Sequence, residues 1–249
     1  MTDPFSPRVA LASLSGDADA AWARRGAPYA GAAFLGGIAL DEPSREAARA
    51  LVARDRNEFL PAAPVEWIDE QLRSLAAVDV RAGVNVRATT PESVAAAARV
   101  CVEHDAILEV NAHCRQDELC AVGCGERLLA DTDRLREYVA AASAAGATVS
   151  VKVRAGVDGV DLPATASAVA DAGGDVLHVD AMDSEPVVAS VVDAAPSLFV
   201  VANNEVRGRE SVREYFAYGA DAVSVGRPST DPVVLERVAD AVAAVRAGR

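Results

Sequence analysis

Of the 24 basic residues in this 249-residue chain, 23 are arginine and one, Lys152, is lysine. An ammonium is a compact point charge with rotatable donors, whereas a guanidinium is a planar fork. Retaining one ammonium in "TVSVKVRAG" (Thr148–Gly156) marks a place that needs the first geometry. The chain has four cysteines, Cys101, Cys114, Cys120 and Cys124. The last three are spaced C-x5-C-x3-C, which fits no zinc or iron–sulfur pattern, so no metal site is expected. Cys114 follows the apolar run "AILEVNAH" and is flanked by His113 and Arg115, which makes it a candidate acid. Two further stretches, "VANNEVRG" and "VSVGRPS", could turn backbone N–H groups toward a phosphate. Arg227 in the second could add a charge-assisted contact.

Chemistry of this kind needs a scaffold that brings distant segments to one point. Short apolar runs predict strands at Arg8–Leu14, Tyr29–Phe34, Ala82–Ala88, Ala106–Ala112, Thr148–Arg154, Val176–Asp180, Leu198–Asn203 and Ala222–Gly226. Helical patterns fall between them at Pro91–Glu103, Thr132–Ala145, Leu162–Ala172, Ser184–Ala194, Arg209–Tyr218 and Asp231–Ala247. Two more, near Pro43–Arg56 and Pro64–Ala77, lie between the second and third strands. Thr90, Asp131 and Ser184 are candidate N-caps, and Gly146, Gly173 and Gly219 candidate helix stops. This order predicts a single domain over residues 1–249, a (β/α)8 TIM barrel. An open doubly wound sheet is the alternative, but "SLSGDAD" after the first strand is not G-x-G-x-x-G.

Barrel strands alternate between the helical layer and the lumen. In "TVSVKVR" the valines face outward, which turns Ser150, Lys152 and Arg154 inward. The same parity turns Asn85, Arg87, Glu109, Asn111, His113, His178, Asp180, Val201, Asn203, Ser224 and Gly226 inward. Singly, each polar residue could be a hydrogen-bonded filler. Together they predict a polar lumen near the C-terminal strand ends, where barrel active sites lie. The turns after the seventh and eighth strands stand where barrels usually hold phosphate.

The net charge of -13 and pI near 4.7 disfavour a general nucleic-acid binder. Many Asp, Glu, Ala and Val and almost no Lys suggest instead a salt-rich, halophilic cytoplasm, where such charge is screened. No membrane span or signal peptide is evident, so a cytoplasmic location with reduced cysteines is expected.

Read together, these motifs resemble the flavin-dependent dihydrouridine synthases and their dihydroorotate-dehydrogenase-like relatives, and more narrowly a short archaeal branch of that group. "LASLSGDAD" is similar to the family's "LAPMAGVTD", and "LEVNAHCR" with "GERLLAD" to "INMGCP" with "GxxLLxD". "VSVKVRAGVD" resembles "VTVKIRLGWD", "VVANNEV" resembles "VIANGDI", and "YGADAVSVGRPS" resembles "TGADGVMIGRGA". The resemblance runs from residue 8 to about 230. It implies an FMN cofactor reduced by NAD(P)H, and hydride transfer to a pyrimidine double bond. Lys152 falls on an FMN-contacting lysine and Asn85 on a glutamine beside the flavin ring. Leu14 and Ser15 would lie along the ring. Asn203, Asn204, Glu205, Gly226 and Arg227 would hold its phosphate. Cys114 falls on the catalytic cysteine that protonates the substrate, and Asn111 on the asparagine of the same motif.

Two positions depart from the pattern. Arg115 replaces the proline after the cysteine, and Asp180 replaces the cofactor-contacting histidine of "VHGRT". The helical RNA-binding domain that follows the barrel in the synthases acting on transfer RNA is not expected in this chain. The substrate is therefore either a uridine of transfer RNA, with an RNA-binding partner subunit, or a free pyrimidine. A barrel that binds phosphate or flavin without turnover is the other class of function.

Overall fold

Eight parallel strands close into a barrel in strict sequence order, β1 hydrogen-bonded to both β2 and β8. The structure, a computed structural model, describes residues 3–248. The strands are β1 (Val9–Leu11), β2 (Ala32–Ala39), β3 (Arg81–Arg87), β4 (Ile107–Asn111), β5 (Thr148–Arg154), β6 (Val176–Asp180), β7 (Phe199–Asn203) and β8 (Ala222–Val225). This is the single-domain TIM barrel that the pattern of elements predicts.

The helices are α1 (Ala20–Gly26), α2 (Glu42–Val52), α3 (Pro64–Leu75), α4 (Pro91–Glu103), α5 (Asp117–Ala121), α6 (Glu126–Leu129), α7 (Thr132–Ala144), α8 (Leu162–Asp171), α9 (Val187–Ala194), α10 (Arg209–Ala217) and α11 (Pro232–Ala247). Several begin on short polar side chains that take an orphan backbone N–H of the first turn. Asp19, Asp41, Thr90, Asp131, Asp161 and Asp231 all do so. Gly146, Gly173 and Gly219 follow α7, α8 and α10 with φ of 87°, 92° and 90°, the left-handed stop expected of glycine.

Three local expectations are corrected. β1 is shorter than Arg8–Leu14, because the chain leaves the sheet after Leu11. β2 is displaced toward the C-terminus from Tyr29–Phe34, since Tyr29 belongs to a 3-10 turn at Ala27–Tyr29. "AAFLGGIA" is buried throughout, so no apolar–polar alternation marked its bounds. Ser184 does not cap α9. Met182 and Asp183 adopt left-handed φ of 45° and 61°, and α9 starts only after Pro186.

The outward strand residues pack under the helices. Val149, Val151 and Val153 are fully buried there, as are Leu108 and Leu177. The bottom of the lumen is filled separately by Phe5, Ala10, Ala32, Phe34, Ile107, Val176, Phe199, Val201 and Ala222. Above this apolar plug most inward positions on β3 to β8 turn polar. Among the described residues, no helix is long and apolar enough to cross a membrane. None of their His, Cys, Asp and Glu side chains gather in a group of three or more that could hold a metal.

Candidate functional site in the barrel mouth

The middle layer of the lumen is a buried hydrogen-bond network that converges on one carboxylate. Register sets it out, with Asn85 opposite Glu109 and Glu109 opposite Ser150. Asn85 Nδ2 donates to Glu109 Oε1 at 2.8 Å, and Ser150 Oγ donates to Oε2 at 3.1 Å. His178 Nδ1 lies 2.8 Å from the same Oε2, and its Nε2 lies 2.7 Å from Ser224 Oγ. Asn203 Nδ2 donates to Ser224 Oγ at 2.6 Å. Burial holds the imidazole of His178 below its ordinary pKa, against the pull of Glu109. Burial also opposes the charge on Glu109. His178, Lys152 and the hydrogen bond from Asn85 outweigh it, so the carboxyl is held below its ordinary value. A neutral His178 therefore donates from Nδ1 to an ionised Glu109 and accepts from Ser224 at Nε2.

Above this layer opens a cavity of about 660 Å³. That lies within the roughly 300–1,000 Å³ of small-molecule sites. Lys152, Arg115, Arg154, Arg207 and Arg227 line it, with Asp180 and Glu205 as counter-charges. Both carboxylates are already paired. His113 Nε2 lies 2.6 Å from Asp180 Oδ2, and Arg207 Nε donates to Glu205 Oε2 at 2.6 Å. Arg154 Nη1 donates to Glu126 Oε2 at 2.9 Å. Lys152 is 5% exposed, and among the described residues it forms no hydrogen bond or ion pair. Burial lowers its pKa, while Glu109 and Asp180 act to raise it. A buried cation left without a protein partner is costly unless something else meets it.

The loop after β7 adds backbone strain. Asn204 and Glu205 have φ of 110° and 45°, which non-glycine residues rarely adopt. The Tyr215 hydroxyl holds this turn, lying 3.1 Å from the Asn203 carbonyl oxygen and 3.0 Å from that of Asn204.

Leu14, Lys152, Asp180, Asn203, Asn204, Glu205, Gly226 and Arg227 are brought together around the cavity. Four other expected site residues are next to those that line it. Asn85 is fully buried in the network. The Ser15 hydroxyl accepts from Arg87. Asn111 Nδ2 donates to Asn85 Oδ1 at 2.8 Å, and its Oδ1 accepts the backbone N–H groups of His113 and Cys114 at 3.2 Å and 3.0 Å. Asn111 thus shapes the turn that aims His113. Cys114 packs against the small cluster of Ala47, Leu51, Leu119 and Cys124. Its carbonyl would lie 1.9 Å from a Cβ at residue 125, so only Gly125, with φ of 60°, fits behind it.

Sequence reasoning missed Glu58, which pairs with Arg87 at 2.6 Å, both side chains nearly fully buried. Glu58 stands outside any periodic element, so no pattern signalled it. The His113–Asp180 pair was also missed, although parity had already turned both residues inward.

The family model for the dihydrouridine synthases matches residues 81–246 of this chain. An uncharacterized protein of Methanocaldococcus jannaschii is 26% identical over 234 residues, 88% of either chain. Among solved structures, a putative lyase/mutase from Burkholderia cenocepacia is similar with a TM-score of 0.56 and 20% identity, over 97% of this chain and 83% of that one. A tryptophan synthase complex from Pyrococcus furiosus gives a TM-score of 0.59 at 14% identity, over 94% and 97%. At such identities the two structures speak for the barrel alone.

Proposed function

The chain belongs to the dihydrouridine synthase family, and from that premise we propose that it is a flavin-dependent oxidoreductase that reduces the double bond of a uracil ring. The observation that carries the proposal is Lys152, a buried ammonium with no hydrogen-bond or ion-pair partner among the described residues, lining a cavity large enough for a cofactor and a ring.

The residues present fit FMN. The cavity has the volume, its cations outnumber its carboxylates, Glu205 is paired with Arg207, and Asp180 is held by a hydrogen bond to His113. Lys152, Leu14, Asn203, Asn204, Gly226 and Arg227 would hold the cofactor. Ser15 and Asn85 would act from behind, Ser15 through Arg87 and Asn85 through Glu109 and Asn111. When bound, FMN supplies a two-electron carrier that takes hydride from NAD(P)H and returns it to a carbon–carbon double bond. Lys152 would offset negative charge developing beside it. Glu109, from below, favours the charged form of that ammonium against the effect of burial. Asn111 fixes the turn after β4, where the proton of the reaction is handled. The resemblance gives that proton to Cys114.

The nominal substrate is a uridine of transfer RNA. A net charge of -13 gives the outer surface little attraction for phosphate, so a partner subunit would supply most of the grip on a folded RNA. The same acidity, against a cationic cavity, favours as a second reading a free pyrimidine, which needs only the mouth. Deleting the gene and measuring dihydrouridine in the host's transfer RNA separates the two. Loss of dihydrouridine at a defined position supports the RNA substrate. Unchanged dihydrouridine, with no second synthase covering the loss, transfers the assignment to the free pyrimidine.

A further inference from the structure

Cys114 stands among two buried cations from the neighbouring strands. β3, β4 and β5 are adjacent in the barrel, with Val86 opposite Val110 and Asn111 opposite Lys152. Arg87 ends β3, Cys114 follows the end of β4, and Lys152 lies on β5. Cys124, in the same cluster as Cys114, ties that cluster to β3 through its Sγ, 3.3 Å from the Ala88 carbonyl oxygen. Lys152 and Arg87 are both close enough to the Cys114 sulfur to feel its charge. Lys152 lines the cavity, and Arg87 does not.

Arg87 is held from several sides. Its side chain is 3% exposed and that of Glu58 2%, and its Nη1 donates to Glu58 Oε2 at 2.6 Å. Glu58 is fixed beside β2, because its neighbour Phe59 bridges Ile38. Arg87 Nη2 donates to Ser15 Oγ. Its Nε is buried and has no partner among the described residues. A Cβ at Gly37 would lie 3.0 Å from that Nε, so glycine on β2 leaves room for the guanidinium. Burial opposes the Arg87 charge, but Glu58 and then Cys114 outweigh it and hold its pKa above the ordinary value.

We propose that Arg87, fixed by Glu58, is a positioning residue for Cys114, its buried guanidinium stabilising the thiolate that proton donation leaves behind. The use of that proton rests on the uracil-ring reading above; the action of Arg87 on the sulfur does not.

Once a hydride donor has reduced one carbon of the ring double bond, the other takes the proton. The S–H bond breaks, a C–H bond forms and sulfur keeps the electron pair. A guanidinium keeps its charge where a buried ammonium can lose it, so Arg87 is the steadier counter-charge of the two. The sulfur also stands near the thiols of Cys120 and Cys124, and His113 and Arg115 flank it in the chain. From α2, Ala47 and Leu51 pack on the same cluster, and the capping Asp41 acts on Cys124.

The test is the rate of iodoacetamide alkylation at each cysteine of the full chain as purified, followed against pH by peptide mass spectrometry, because only the thiolate reacts. Arg87→Gln alone strands a buried Glu58, so the main variant is Arg87→Gln with Glu58→Gln, which removes both charges. At pH 7 its Cys114 should react about tenfold more slowly than in wild type, with the whole pH profile displaced upward. Arg87→Lys should recover part of the rate. Cys120, on which Arg87 has no listed pull, should keep its wild-type profile. A merely structural role would loosen the fold and speed labelling at every thiol, the opposite sign. An unchanged Cys114 profile in the folded double variant, or equal changes at Cys114 and Cys120, overturns the proposal. Dihydrouridine formation is assayed on the same preparations. If wild type forms none while the Cys114 profile moves as expected, the uracil-ring reading falls and the action of Arg87 on the sulfur stands.

Discussion

His178 Nδ1 stands 2.8 Å from Glu109 Oε2 in a part of the lumen where neither residue has any exposed surface. Every hydrogen bond around them can run one way. Asn203 donates to Ser224, Ser224 to His178 and His178 to Glu109, while Asn85 and Ser150 donate to the same carboxylate. This buried anion lies one layer below Lys152 and, with Asp180, acts to raise the pKa of the ammonium that burial lowers.

Removing the anion should therefore damage the fold as well as the site. Glu109→Ala leaves three donors and a buried cation without their centre. A loss of about 3–5 kcal/mol in unfolding free energy is expected. Urea melts at constant salt measure it, and a loss below about 1 kcal/mol would mean that the network carries little stability.

The buried histidines set the acid limit of the protein. His178 and His113 both have folded pKa values below the ordinary 6.5. Below pH 6.5 the unfolded chain binds protons that the folded chain refuses, so stability falls as pH falls. Glu109 and Asp180, held below their ordinary values, add a second loss at more acid pH, as their carboxylates protonate. The melting temperature should drop between pH 7 and pH 5 at constant ionic strength. A flat profile would mean that His178 and His113 are not buried in their neutral forms.

Much of this architecture was legible in the sequence, and the reasons are particular. Alternating valines in "TVSVKVR" fixed which way Lys152 points, because a strand has a period of two. β2 was misplaced because "AAFLGGIA" has no polar residue to reveal parity. The bulge between Gly36 and Ile38 shifts its register as well. At Gly37 a Cβ would come within 2.7 Å of Asn85 Oδ1, a contact no local pattern encodes. Glu58 and the His113–Asp180 pair needed the closed barrel before their partners could be known. The start of α9 depended on left-handed residues at Met182 and Asp183, which the Ser184 cap signal could not reveal.

The four thiols should separate into two classes. Burial pushes the Cys101 and Cys124 thiols up to about 12. Cys114 and Cys120 are partly exposed. Iodoacetamide at pH 8 should modify only the second pair in the folded protein, as read by peptide mass spectrometry. Labelling of Cys101 before unfolding would contradict the packing of α4 against the barrel.

On this reading Lys152 should trade stability for function. Its folded pKa is depressed, so the charged form is held against its preference. Lys152→Met should keep the barrel folded with an equal or higher melting temperature, and bind FMN at least tenfold more weakly. Calorimetry and flavin fluorescence give the two numbers. A variant that melts much lower yet binds FMN normally would make Lys152 a structural residue.

The central claim, that the mouth around Lys152 is a flavin site serving reduction, is tested most directly by the visible spectrum of the purified wild-type protein in high salt. The account predicts a yellow protein with flavin absorption that bleaches on addition of NADH or NADPH. A colourless protein that added FMN does not restore would contradict it.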